Sequence, residues 1–184
     1  MKGKGAIFVF FLFLLLSPSF SAQIPRISAY ATDTAGVIPP STVSQLDSSL
    51  RALEKETTGV QFIVLVEKTD PKDLSLEEYT LKIVEENRVG KKGADNGILL
   101  YVAVDDREYR WEVGYGAESV LSTALIGRIS RQYIVPSFQV GNYEKGVVGG
   151  VWAVSGLLLN STDPDIVSLK QGDSSSGYDA SKAE

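Results

Sequence analysis

Two nearly unbroken apolar runs, separated by a segment with helical periodicity, restrict what this chain can fold into. The first run covers residues 60–66 and the second covers residues 98–104. Between them, Ser75 and Glu78 have the spacing of a helical capping box, and the apolar side chains of residues 76–84 recur at helical spacing. Apolar runs of this length are typical of strands buried on both faces, and a helical crossover places two such strands parallel. The sequence therefore predicts a βαβ unit.

Further patterns complete the predicted fold. Residues 109–113 alternate apolar and polar side chains after a charged turn at residues 105–108, which predicts an antiparallel strand that returns along the second run. Helical periodicity predicts a helix capped by Ser41, a helix ended by Pro136 and a last helix over residues 143–159. The predicted class is α/β, with a mixed β-sheet sandwiched between helices and built from a βαβ unit plus an antiparallel hairpin.

The two ends of the chain differ in composition from its middle. Residues 1–21 contain lysines, then an apolar run, then small residues, which is the order of a secretory signal peptide. The apolar run is shorter than the roughly 20 residues of a membrane-spanning helix. Residues 160–184 are polar and serine-rich, which predicts a disordered tail. We therefore expect residues 22–159 to form one exported domain, and an uncleaved N-terminal segment that holds it at a membrane is the alternative.

The amino-acid composition excludes several classes of chemistry. The chain has no histidine and no cysteine, which excludes Ser-His-Asp hydrolysis, histidine-ligated zinc and thiolate metal sites. The formal net charge is −5, and it becomes more negative once residues 1–21, with their two lysines, are removed. An acidic protein is a poor partner for nucleic acid. Any chemistry must therefore rest on carboxylates, hydroxyls, lysine, arginine or a cation with oxygen ligands.

The predicted hairpin brings two polar segments to one edge of the sheet. Because its strands are antiparallel, the start of the first strand lies beside the end of the second. Asp95 and Asn96 precede the first strand, and residues 114–118, which end in Glu118, follow the second. Carboxylate, amide and carbonyl oxygens are Ca²⁺ ligands, so this edge is a candidate site for a hard cation. The alternative is structural, because Asp-Asn-Gly is a common turn and an acidic residue favours a helix N-terminus.

A second charged cluster lies at the opposite end of the hairpin. Asp105, Asp106 and Arg107 combine two carboxylates with a guanidinium, which suits acid/base chemistry on a phosphate ester. These residues are the candidates for catalysis. The alternative interpretation is a solvated hairpin tip.

A set of short motifs is spread over residues 30–159. The motifs are Asp-Thr-Ala-Gly-Val at 33–37, Thr-Gly-Val-Gln at 58–61, Asp-Asn-Gly-Ile-Leu-Leu at 95–100, Asp-Arg at 106–107, Val-Gly-Tyr-Gly-Ala-Glu at 113–118, Pro-Ser-Phe at 136–138, Gly-Asn-Tyr at 141–143, and Gly146. Together they resemble the TPM domain, a family named after a thylakoid-lumen phosphatase, a photosystem II repair protein and a nematode receptor modulator. The resemblance implies an α/β sandwich, an exported or lumenal location and work beside membrane complexes.

The resemblance also implies a site and a function. Some family members resemble calcium binders, which implies Asp33, Asp95, Asn96 and Glu118 as ligands of Ca²⁺. The leading expectation is a non-catalytic module that binds a divalent cation and assists the assembly, repair or regulation of membrane-associated protein complexes. Other members have been credited with acid phosphatase activity on phosphomonoesters, which is the first alternative. A structural adaptor without a ligand is the second.

Overall fold

A four-stranded mixed sheet organises the described part of the chain, residues 23–175 of a computed structural model. The first three strands are parallel and the fourth is antiparallel to the third. This confirms the predicted α/β class and the predicted mixed sheet. The predicted signal segment, residues 1–21, lies outside the described residues. The strands lie side by side in chain order: β1 (Ala31–Asp33), β2 (Gln61–Glu67), β3 (Gly97–Ala103) and β4 (Glu108–Val113).

Helices cover both faces of this sheet. Successive strand residues point to opposite faces, so Phe62 and Val64 enter the larger core while Ile63 and Leu65 enter the smaller one. The smaller core is closed by α2 (Leu76–Asn87). The larger core is closed by α1 (Pro40–Glu56), α3 (Tyr115–Glu118), α4 (Thr123–Ile129), a π-helical turn (Ser130–Ile134), α5 (Val135–Gln139), α6 (Tyr143–Leu158) and α7 (Pro164–Ser175).

The strands differ in pattern because they differ in position. All seven residues of β3 are buried, as expected for a central strand covered on both faces. β4 lies at the edge and alternates instead. Tyr109 and Trp111 pack against the larger core, while Arg110 and Glu112 contact residues of α2. The continuous and alternating apolar patterns thus separate a central strand from an edge strand.

Helix starts show where sequence rules succeed and where they fail. α2 begins with the predicted capping box, in which the Ser75 hydroxyl accepts from the Glu78 amide at 3.2 Å. The predicted cap at Ser41 is wrong, because α1 already begins at Pro40. Pro136 does not end a helix and instead lies in the first turn of α5. Helical residues precede Pro136 without a break from Thr123, and the π-helical turn directly before α5 interrupts the regular i→i−4 bonding that a proline would otherwise break.

The prediction of a disordered tail from residue 160 is wrong for α7. Ile166 and Leu169 lie three residues apart on one side of this helix, and each is only 1% exposed. The Arg128 guanidinium also donates to the Leu169 carbonyl. Two well-placed apolar residues therefore dock a helix that is polar on average. Residues 176–184 of the predicted tail lie outside the described residues.

Among residues 23–175, no helix combines the length and the hydropathy needed to cross a membrane.

The docking of α7 generates a stability prediction. Ile166→Ala should lower the free energy of unfolding by about 2–5 kcal/mol, because it opens a cavity between α7 and α6. Ser168→Ala, at an exposed position of the same helix, should change it by less than about 0.5 kcal/mol. Urea unfolding followed by circular dichroism measures both. Equal stabilities for the two variants would mean that α7 does not pack on the domain.

Candidate functional site

The pairing of β3 with β4 brings together residues 90–97 and 114–118 at one edge of the sheet, which we call the Asp95 rim. The Gly116 amide donates to the Asp95 carbonyl at 2.8 Å, and the Tyr115 amide donates to the Asp95 carboxylate at 3.3 Å. Asp95 itself has a left-handed backbone, with φ of 48°. The hairpin therefore places the Asp95 carboxylate beside the start of α3, as its antiparallel pairing predicts.

Two glycines permit this close approach. A Cβ at Gly116 would overlap the carbonyl oxygen of Ala94, and one at Gly114 would overlap the carbonyl oxygen of Asp95. Both obstacles are backbone atoms, which cannot rotate away as a flexible side chain would. The geometry of the Asp95 rim thus depends on the absence of side chains at these two positions.

Asn96 holds the loop that carries Asp95. It is 7% exposed, its amide oxygen accepts from the Lys91 backbone at 2.8 Å, and its amide nitrogen donates to the Gly59 carbonyl at 3.0 Å. Both ends of the side-chain amide are thereby used inside the protein, consistent with the rule that buried polar groups are hydrogen-bonded. Asn96 acts as a positioning residue for the Asp95 rim.

Asp33 lies at the other end of the sheet. It pairs with Val66 near the end of β2, whereas Asp95 precedes β3 and lies level with the start of β2. The Asp33 carboxylate accepts from the Gly36 amide at 2.9 Å and from the Ile38 amide at 2.7 Å. These bonds close the turn between β1 and α1. The structure therefore separates Asp33 from the other three implied cation ligands.

Asp95 and Glu118 are the two acidic side chains that the rim presents to solvent. Both are exposed, and Glu118 ends the short helix that Tyr115 begins. Among the described residues, no three acidic side chains gather around a common point. Because Ca²⁺ takes six to eight oxygens, a cation here would complete its shell with water. Within residues 23–175 the rim thus supplies two of the carboxylates that such a shell would use.

A groove of about 860 Å³ lies beside the rim, between the end of α2 and the loop before β3. Its lining includes three cations, Arg88, Lys91 and Lys92, and two acids, Glu85 and Asp95. This charge balance favours an anionic ligand group. Sequence reasoning missed the groove, because it forms only where the end of α2 meets a loop that follows it.

At the opposite end of the sheet, Asp106 is held by a loop that follows β2. Its carboxylate accepts from the Thr69 hydroxyl at 2.6 Å, the Asp70 amide at 3.0 Å and the Lys72 ammonium at 2.6 Å. Lys72 also donates to the Asp70 carboxylate at 2.8 Å. We call Thr69, Asp70, Lys72 and Asp106 the Asp106 cluster. The sequence feature that points to this cluster is the polar loop after the buried parallel strand β2, because ligand sites of α/β sheets commonly lie after such strands.

The Asp106 cluster has a clear electrostatic consequence. The hydrogen bond from Lys72, followed by that from Thr69, holds the pKa of Asp106 well below its ordinary range. The Asp106 carboxylate in turn raises the pKa of Lys72. The pair remains charged at any physiological pH, so Asp106 is not placed to exchange a proton near neutrality.

The three catalytic candidates do not form one unit. Asp105 is exposed, and Arg107 has a left-handed backbone with φ of 58°. Arg107 lines a cavity of about 340 Å³ together with Tyr109 and Phe138. Within residues 23–175, no ion pair joins Arg107 to Asp106. The structure thus places Asp106 in one cluster and Arg107 at another cavity.

Residues 31–157 match the family described as the TPM domain. The solution structure of the N-terminal domain of a protein from P. gingivalis is 35% identical, covers 68% of this chain and 79% of that one, and has a TM-score of 0.62. No protein with a curated description matches the sequence significantly.

Two more distant structures support the fold alone. The BA42 protein from the psychrophilic bacterium Bizionia argentinensis is 22% identical, with 66% of this chain and 81% of that one covered and a TM-score of 0.52. The N-terminal domain of the cg2496 protein from Corynebacterium glutamicum is 15% identical, with 74% and 84% covered and a TM-score of 0.53.

The glycines of the Asp95 rim generate a second prediction. Gly116→Ala should destabilise the fold by about 1–3 kcal/mol, because the added methyl meets a fixed carbonyl. Gly127→Ala is the matched control, since its Cβ would approach only the flexible end of Arg131, at 3.4 Å. The control should be neutral or stabilising by up to about 1 kcal/mol, as expected for glycine in a helix. Urea unfolding distinguishes them, and two neutral variants would contradict the close approach.

The Asp106 cluster predicts how stability depends on pH. A carboxylate whose folded pKa is depressed stabilises the fold fully above its unfolded pKa, about 3.9, and loses that contribution as pH falls through the folded value. The melting temperature of the parent chain should therefore fall more steeply below about pH 4 than that of Asp106→Asn. Asp105→Asn, at the exposed neighbour, should follow the parent. A steep fall retained in Asp106→Asn would place the acid sensitivity elsewhere.

Proposed function

The chain belongs to the TPM domain family, and from that premise we propose that it is an exported, non-catalytic module that binds Ca²⁺ and assists membrane-associated protein complexes. The cation is bound at the Asp95 rim. The observation that carries the proposal is the position of two exposed carboxylates, Asp95 and Glu118, on one rim whose backbone is fixed by glycines and by Asn96.

The chemistry of the rim supports a weak cation site. Ca²⁺ prefers carboxylate oxygens, and its affinity falls as the number of charged ligands falls. Two carboxylates completed by water correspond to the range of extracellular modules, roughly 10⁻⁴–10⁻³ M. That range matches an exported protein, and the signal-like composition of residues 1–21 supports export.

The role beside membrane complexes is assembly, repair or regulation rather than chemistry. Membership of the family supports this role. The acidic net charge of −5 disfavours nucleic acid as the partner. An uncleaved apolar segment within residues 1–21 would hold the domain at a membrane surface, close to such complexes.

A phosphatase is the second candidate, and the groove beside Asp95 favours it. Arg88, Lys91 and Lys92 line this groove and would attract a phosphomonoester, with Asp95 as the adjacent carboxylate nucleophile. The Asp106 cluster is a poorer candidate centre, because Thr69 and Lys72 already occupy its carboxylate.

Thermal unfolding with and without Ca²⁺ tests the leading proposal. The chain from Ala22 onward should melt at a higher temperature in millimolar Ca²⁺ than in chelator, because a ligand that binds only the folded state stabilises it. At about ten times the dissociation constant the gain is roughly 1.4 kcal/mol. Asp95→Ala and Glu118→Ala should each abolish the rise. Asp105→Ala, an exposed aspartate at the opposite end of the sheet, should retain it.

The outcomes separate the candidates. A melting temperature that ignores Ca²⁺ in the parent chain would overturn the cation site. Hydrolysis of p-nitrophenyl phosphate that is lost in Asp95→Asn and retained in Asp106→Asn would favour the phosphatase. If the chain shows neither stabilisation by Ca²⁺ nor hydrolysis of p-nitrophenyl phosphate, the remaining candidate is an adaptor without a ligand.

A further inference from the structure

β4 is the last strand of the sheet, and among the described residues no strand lies beside its outer edge. The Gly114 amide donates to the Gly97 carbonyl, and hydrogen-bonded and non-bonded positions alternate from there along an antiparallel pair. The backbone N–H and C=O groups of Tyr109, Trp111 and Val113 therefore face outwards. Within residues 23–175, no group donates to them or accepts from them. Such an edge is a template for another strand.

The side chains of β4 carry an alternating charge pattern along the face that contacts α2. Glu108 is exposed, Arg110 follows two residues later, and Glu112 two residues after that. The Arg110 guanidinium contacts the Glu112 carboxylate and lies 3.3 Å from the Glu77 carboxylate. All three charged residues thus lie beside the open edge.

This pattern selects one register for a second copy of the chain. Outward-facing groups must meet outward-facing groups, so a second β4 laid antiparallel along the edge has few registers. With Trp111 opposite Trp111 of the second copy, Arg110 lies opposite Glu112 twice. Sliding by two residues places Arg110 opposite Arg110 in one direction and Glu112 opposite Glu112 in the other. Sliding by four residues sets Arg110 opposite Glu108, but only residues 108–110 of each strand then overlap, against residues 109–113 in the Trp111-centred register. Like charges directly opposite are destabilising, and opposite charges are stabilising.

An exposed leucine adds apolar area next to the same edge. Leu81 is 41% exposed and lies four residues after Glu77, on the helix face whose Glu77 contacts Arg110. A twofold axis through Trp111 would place α2 of each copy on the same face of the joined sheet. Leu81 would then lie near the second copy.

We propose that two copies of this chain pair through β4 in the Trp111-centred register and form a continuous eight-stranded sheet. The occupant of the edge is a second copy because β4 complements its own charges. This inference goes beyond the Ca²⁺ site and does not depend on it.

Sedimentation equilibrium of the chain from Ala22 onward tests the pairing. The mass should rise from one chain towards two as concentration increases, and about 1 M salt should weaken the association by screening the cross-edge pairs. Glu112→Arg should abolish the rise, because it places arginine opposite Arg110. Glu108→Arg is the matched control, since it makes the same charge change on the same strand but lies opposite Gly114 of the second copy. It should associate like the parent.

Two further variants distinguish a loss of association from a failure to fold. Glu112 also accepts from the Thr80 hydroxyl, so circular dichroism must show that its variant is folded. The double exchange Arg110→Glu with Glu112→Arg restores opposite charges across the edge and should restore association. Val113→Pro removes an outward N–H without removing a bond to β3, and it should give a folded monomer.

Disulfide trapping tests the register directly, because the chain has no cysteine of its own. In the proposed register, positions 110 and 112 form a non-bonded pair with Cα atoms about 4.5 Å apart, which suits a disulfide. Arg110→Cys mixed with Glu112→Cys should therefore give mainly the mixed disulfide on mild oxidation. Each variant alone should cross-link at least several-fold less.

Three results would overturn the proposal. One is a chain that stays monomeric at every concentration, which is also the result expected if the edge receives an extended segment of a different protein. Another is association that Glu112→Arg leaves unchanged. The third is cross-linking without preference for the mixed disulfide. Asp95→Ala and Glu118→Ala should associate normally, which keeps this test separate from that of the cation site.

Discussion

The burial of β3 between two helical layers is the constraint on which the rest of the structure depends. Because β3 is apolar on both faces, it has little alternation of polar and apolar residues to fix its register. A slip by one residue is therefore resisted mainly by the fit of its side chains in the two cores. Tyr101 adds a polar restraint, because its hydroxyl donates to the Glu67 carboxylate at 3.1 Å, as does the Tyr79 hydroxyl at 2.8 Å. Burial raises the pKa of Tyr101, which keeps the hydroxyl protonated as a donor.

The fold was predictable where one local pattern carried the information. Continuous apolar runs identified the buried strands, and the Ser75–Glu78 spacing identified a helix start. The errors arose where two local signals compete. Proline commonly marks a helix boundary, but Pro136 follows a π-helical turn inside a continuous helical run. The composition of α7 is polar, whereas its packing depends on two buried apolar residues, Ile166 and Leu169, and on the hydrogen bond from Arg128.

The candidate sites were predictable only as far as strand pairing reaches. The hairpin fixes Asp95 beside residues 114–118, so that proximity followed from the register alone. The partners of Asp106 come from a loop that follows a different strand, and the groove at Lys91 needs the end of α2. Asp33 was associated with the rim by resemblance, and the parallel direction of β1 places it at the other end. Contacts between segments that are not paired in the sheet produce no characteristic residue spacing in the sequence, so they could not be predicted from it.

The close approach at Gly114 and Gly116 also affects how variation among related chains should be interpreted. A side chain at either position overlaps a backbone carbonyl, whether or not anything binds nearby. Selection for folding alone is enough to keep glycine there over long divergence. Glycine retained at these two positions in relatives is therefore a record of steric necessity, and the informative variation lies at Glu118, whose exposed side chain ends α3.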